Sequence, residues 1–168
     1  MAGAYDRFKN AEPMGVRQFI EAGNHRLLVK RTIQGPSQNP QKKNMEKTVV
    51  EFKIIRSDTM KIGSSCSLVE TDDKAGYFGN VLSFVAGILG YGIDEMKADP
   101  DFDTVFTSVF GPDQILTEML VDCVGQQVKT NAGGDYTAKT WEPVDASEYA
   151  EDSLIAPEGA YVRAEAAA

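Results

Sequence analysis

The residues of this 168-residue chain best suited to chemistry are cations and aromatics rather than a catalytic set. The chain has one histidine, His25, and a Ser-His-Asp or Cys-His arrangement would have to be built around it. His25 opens a stretch of alternating apolar residues and is read as structural. The two cysteines, Cys66 and Cys123, are isolated in sequence and form no CxxC pair, which fits two buried thiols in a reducing compartment and leaves too few ligands for a structural zinc site. Asp99-Pro100-Asp101-Phe102-Asp103 imitates the start of a calcium loop. Thr104 stands where such a loop needs glycine, and Phe110 where it needs a bidentate glutamate. Those aspartates are better placed as helix N-terminal charges. The glycines around Gly76 and Gly90 match neither a P-loop nor a dinucleotide fingerprint. The sequence is therefore read as non-enzymatic, with no cofactor and no metal.

Charge is distributed unevenly. Residues 1–56 hold 11 Lys and Arg against 5 Asp and Glu; residues 57–118 hold 3 against 11, and residues 119–168 hold 3 against 9, for a net charge of −8. A basic third inside an acidic chain points to a polyanion site, because clustered cations raise the local concentration of anionic ligands. The cations in question are Arg26, Lys30, Arg31, Lys42, Lys43, Lys47, Lys53 and Arg56, joined later by Lys129 and Lys139. Among the aromatics, Tyr136 and Trp141 lie close to Lys139. Strand alternation puts Trp141 and Lys139 on one face and Tyr136 on the other. A lysine is a poor occupant of a small barrel interior, so Trp141 and Lys139 are assigned to the binding face. Phe52 shares a face with Val50 and Ile54 and is assigned to the core.

Elements to position these residues follow from periodicity. HRLLVKRTI (His25–Ile33), KTVVEFKIIR (Lys47–Arg56) and SSCSLVET (Ser64–Thr71) alternate as strands. QGPSQNPQKKNME between the first two is a loop. From Ala75 the period becomes helical: Phe78, Val81, Leu82, Val85 and Leu89 recur on one stripe, and Phe102, Val105, Phe106 and Val109 on another. A third helix is expected over Asp113–Asp122, with Ile115, Leu116, Met119 and Leu120 on its apolar side. Tyr77–Ile93 carries no charge but is rich in glycine, which favours a core helix over a membrane span. Cys123–Asn131 and Tyr136–Val144 form a last strand pair around Ala132-Gly133-Gly134-Asp135.

The order is strand, long loop, strand, strand, helices, strand, tight turn, strand. The expected fold is mainly β with an α insertion (α+β): a five-stranded OB-fold-like Greek-key barrel with helices between strands three and four. Residues 1–23 form a lead-in, 24–144 the barrel with its insertion at about 75–122, and 145–168 an acidic, mostly disordered tail. The segments GNHRLLVKRTI, KTVVEFKIIR, SSCSLVET, GYFGNVLSFVAGILG and VGQQVKTNAGGDYTAKTWEPV together resemble phage-encoded single-stranded-DNA-binding proteins with an OB-fold and an acidic C-terminal tail. The resemblance implies sequence-independent protection of single-stranded DNA in DNA replication or recombination, in the host cytoplasm, with replication or recombination proteins as further partners, room for a homo-oligomer and no membrane. Two features depart from it: the insertion holds more than one helix, and the terminus reads AEAAA. Two other functions fit the same pattern: a virion or assembly component on a small β-barrel, and an interaction module recruiting a replication enzyme through Phe102, Phe106 and Phe110.

Overall fold

The computed structural model describes residues 18–36 and 45–164. Five antiparallel strands form one sheet: β1 (Gly23–Pro36), β2 (Glu46–Ser57), β3 (Ser65–Thr71), β4 (Leu120–Lys129) and β5 (Asp135–Pro143). Their order is β3-β2-β1-β4-β5, so β1 lies at the centre and is shared by the β1-β2-β3 meander and the β4-β5 hairpin. The insertion between β3 and β4 holds α1 (Tyr77–Leu89), α2 (Ile93–Lys97) and α3 (Phe102–Phe110). No helix is long and apolar enough to cross a membrane.

Alternation builds the sheet's inner face. Leu27 and Val29 of β1, Val50, Phe52 and Ile54 of β2, Cys66 and Leu68 of β3, and Val121 and Cys123 of β4 form one buried cluster with Phe84, Val85 and Ile88 of α1. The register of β1 on β2 shifts between Arg26 and Leu27 and again between Val29 and Arg31. Such bulges bend and twist a strand, which lets one long strand serve both halves of a curled sheet.

Three sequence expectations change. The buried stripe of α1 runs through Tyr77, Val81, Phe84, Val85 and Ile88, and Phe78 is 73% exposed. The stripe is displaced by about one position because the Tyr77 hydroxyl is held by Thr48 inside the sheet. Asp113–Asp122 is not a helix: turns run up to β4, with Gln114 and Glu118 at positive φ. The Gln114 side chain fixes this path, accepting from Thr32 N–H at 2.9 Å and donating to Thr32 C=O at 2.9 Å.

The third change concerns the acidic segment after β5, expected as a mostly disordered tail. Residues 145–164 fold back on the outer face of the sheet. Ala146–Asp152 is a 3-10 helix, capped reciprocally by Asp145 and Glu148. Hydrogen bonds from the Ser147 hydroxyl and from backbone N–H groups of Arg163 and Ser147 hold the Asp145 carboxyl down at about 2. Tyr149 is buried with Leu28, Leu120 and Val144 in a second apolar cluster. Its hydroxyl accepts from the Leu120 N–H at 2.8 Å. Burying each large apolar side chain is worth about 1.5–3 kcal/mol, and Tyr149 acts together with Leu154, Ala156 and Ala160 packed beside it and with the ion pairs of Asp152 to hold the segment.

Candidate nucleic-acid interface

The cations identified in the sequence divide into three groups. Arg26 and Arg56 are cross-strand partners on β1 and β2. Like charges directly opposite each other are unfavourable, so an anion belongs between them. The tail supplies it: Asp152 accepts from Arg26 Nη1 at 3.3 Å and from Arg56 Nε at 2.7 Å. Arg26 also forms a bidentate pair with Asp122, at 2.8 and 3.0 Å. Asp122 and Asp152 hold this guanidinium protonated more firmly than an ordinary arginine. Both guanidinium groups are thus engaged within the fold, Arg26 buried and Arg56 half exposed.

The second group lies on the outer face of β1 and β2. Lys30 pairs with Glu118 and Arg31 with Glu51, both exposed. Lys47 and Lys53 have no ion-pair partner among the described residues. Lys47 lies opposite Thr71, and Lys53 opposite Ser65, so both border β3. The outward positions of β3 are Ser65, Ser67, Val69 and Thr71, which place no charge next to them. Lys42 and Lys43 lie outside the described residues.

The third group belongs to the β4-β5 hairpin. Lys129 is exposed at the end of β4, opposite Asp135. Tyr136, Lys139 and Trp141 meet the edge of β3 across a polar seam under α1. Asn80 of α1 donates to Glu70 Oε1 at 3.2 Å and to the Tyr136 hydroxyl at 3.1 Å. Lys139 lies 5.5 Å from the Tyr136 ring centre, a cation–π distance, and donates to the Thr137 carbonyl at 3.1 Å. The edge strands β3 and β5 are thus joined through side chains of α1 and the hairpin.

Lys139 and Trp141 do share a face, as alternation requires, but it is the inner one. Trp141 stacks on Phe52 at 5.9 Å and meets the Phe84 edge at 4.9 Å. A Cβ at Gly87 would lie 2.4 Å from the Trp141 Cβ, so the glycine is what lets α1 sit directly on this residue. Trp141 therefore packs against the core with one side of its ring left at the seam. Lys139 is tolerated inside because it lies at the seam, where its charge faces Glu70.

Burial pushes the Glu70 carboxyl up, against the opposing pull of the Asn80 hydrogen bond and the Lys139 charge. Between the unfolded and the raised folded pKa the folded state holds more protons, so stability falls as pH rises through that window. Glu70→Gln, which can still accept from Asn80, should therefore be more stable than the parent above the window and should lose this pH dependence. Thermal melts of both proteins across pH 4–8, taken as an order-of-magnitude window around a carboxylate pKa, test this. A constant difference between the two curves would show that desolvation of Glu70 is not felt.

Other groups with chemical potential are fully engaged. His25 Nε2 donates to the Glu21 carbonyl at 2.8 Å, and Nδ1 lies 2.8 Å from Ser57 Oγ. Ser57 Oγ also accepts the backbone N–H groups of Thr59 and Met60, so the pair staples β1 to the turn after β2. Cys66 and Cys123 are buried free thiols, both pushed up to about 12 by desolvation. Among the described residues no three His, Cys, Asp or Glu side chains cluster as metal ligands would.

Sequence reasoning missed Asn80, Glu70 and the anchor residues Tyr149 and Asp152. Their roles depend on pairings between distant segments that no local pattern encodes. No protein-family model matches the chain, and no curated protein gives a significant match to it.

Proposed function

We propose that this protein is a non-enzymatic, sequence-independent binder of single-stranded DNA acting in replication or recombination, on an OB-type barrel. The strand order β3-β2-β1-β4-β5, with helices between β3 and β4, has the connectivity of that barrel, left open between β3 and β5. One observation carries the functional part. The Asn80 bridge brings Tyr136 to one flank of β3, while Lys47 and Lys53, without an ion-pair partner among the described residues, border its other flank. A strand of nucleic acid laid across β3 meets cations for its phosphates and an aromatic ring, 39% exposed, for a base. Lys129, next to Val128 opposite Tyr136, adds a cation on the hairpin side. Arg26, Arg56, Lys139 and Trp141 are removed from the contact set because their partners lie within the fold.

Affinity should fall steeply with salt as counterions are released. Lys47→Glu and Lys53→Glu should each reduce the slope of log K against log salt by about 1 and weaken all oligonucleotide sequences alike. Tyr136→Ala should cost about 1–3 kcal/mol of binding with little change in that slope. Fluorescence anisotropy of a labelled oligonucleotide at several salt concentrations measures both. Absence of binding at low salt would overturn the proposal, and salt-insensitive binding would overturn the phosphate mechanism.

A further inference from the structure

The surface farthest in character from the cationic border is the helical insertion. Residues 93–113 hold six carboxylates against one lysine. Asp94, Glu95, Asp101, Asp103 and Asp113 are exposed, and none takes part in an ion pair among the described residues. Asp101 and Asp103 lie at the start of α3, and Asp103 lines an apolar groove beside it. Phe102, Phe106 and Phe110 of α3 form a line of rings with centres 4.7 and 5.9 Å apart. Each is only half-buried: one side packs on the core and the other faces out. An open groove of about 410 Å³ runs between α3 and the end of β1, lined by Phe106, Phe110, Thr107, Gln34 and Asp103.

From this arrangement we infer that the α3 groove docks a cationic amphipathic segment of a partner protein. The groove gives apolar anchors a place against Phe106 and Phe110. The carboxylates of Asp101 and Asp103 select Lys and Arg flanking those anchors, and like-charge repulsion excludes acidic segments and nucleic acid. Segments of this kind typically bind as short helices with apolar anchors one turn apart, matching the spacing of the phenylalanines that receive them. The insertion is therefore a second interface, separate from the β3 face and opposite to it in charge, and its occupancy does not depend on the DNA-binding proposal.

Two synthetic helical peptides of equal length and identical leucine positions provide the probe, one with lysines on its polar face and one with glutamates. Backbone amide NMR shifts of the full chain report the site, and anisotropy of the labelled peptide reports affinity. The lysine peptide should bind and move resonances of Gln34, Thr107 and Gly111, while the glutamate peptide should not. The double variant Asp101→Asn and Asp103→Asn keeps side-chain size and keeps a good residue at the helix start, so it should fold with an unchanged melt. It should bind the lysine peptide about tenfold more weakly, as expected when two exposed charges leave an interface rim.

Three outcomes overturn the inference. One is lysine-peptide shifts that miss the groove, and another is equal binding of both peptides. The third is concentration-dependent shifts at the same residues without peptide, which would assign the groove to a second copy of the chain. Oligonucleotide binding by the double variant should match the parent, so failure here is distinguishable from failure of the β3 proposal.

Discussion

An Arg26→Ala variant should lose about 3–5 kcal/mol of folding stability, the loss expected when one partner is removed from a buried ion cluster. The Arg26 side chain is 10% exposed and that of Asp152 only 8%. Truncation leaves the Asp152 carboxylate buried with one partner, Arg56, and leaves Asp122 without its bidentate partner. The damage also spreads beyond the cluster, because Asp152 ends the 3-10 helix that holds Tyr149 over Leu28 and Leu120. Arg56→Ala is the contrast. Its side chain is 48% exposed, so its pairs with Asp152 and Glu151 are screened by water and their loss should cost no more than about 1 kcal/mol. Removing Arg26, Asp122 and Asp152 together should recover part of the Arg26→Ala loss, since the charges then left without these partners, Glu148 and Arg56, are partly exposed. Urea unfolding followed by circular dichroism measures all three. A loss below about 1 kcal/mol for Arg26→Ala would mean that water enters the cluster freely and that the tail is held by its apolar contacts alone.

The same cluster explains why the sequence misdirected part of the site. Arg26 and Arg56 looked like ligand-binding cations because the acidic segment that neutralises them is about a hundred residues away in the chain. Composition marked that segment as tail. Its anchors are one tyrosine and one aspartate, and neither announces a partner locally. The strands were legible because Val50, Phe52 and Ile54, or Leu27 and Val29, alternate strongly and their neighbours do not. The path over 113–119 was illegible because it depends on positive φ at two non-glycine residues, held by one glutamine bonded to a distant strand. The phase of α1 was legible only to within a residue. A stripe of 77, 81, 84 and 88 and one of 78, 81, 85 and 89 are both apolar, and a hydrogen bond to Thr48 decides between them.

Trp141→Ala should cost about 3 kcal/mol, the low end for deleting a large aromatic from a core because one side of the ring reaches the seam. The ring joins three elements: Phe52 on β2 stacks on it, Phe84 on α1 meets it edge-on, and Gly87 sits over its Cβ. Each aromatic pair adds about 0.5–1.5 kcal/mol beyond burial, so Trp141→Phe should retain much of the stability that alanine loses. The alanine variant also separates the two roles open to a tryptophan on this sheet. A stacking residue would lose oligonucleotide affinity on substitution by alanine and keep its fold. A core residue loses stability and, at temperatures where the variant remains folded, keeps its affinity. Parity along β5 could not distinguish them, because alternation states which residues share a face and not which face is inside. Lys139 suggested the outside, since a lone ammonium does not enter an apolar interior. The seam removes that objection by placing Glu70 and the edge of the sheet within reach of its charge. Trp141 fluorescence should accordingly be insensitive to added oligonucleotide while Tyr136→Ala weakens binding. Strong quenching on titration would return Trp141 to the binding face and require the hairpin to open from α1.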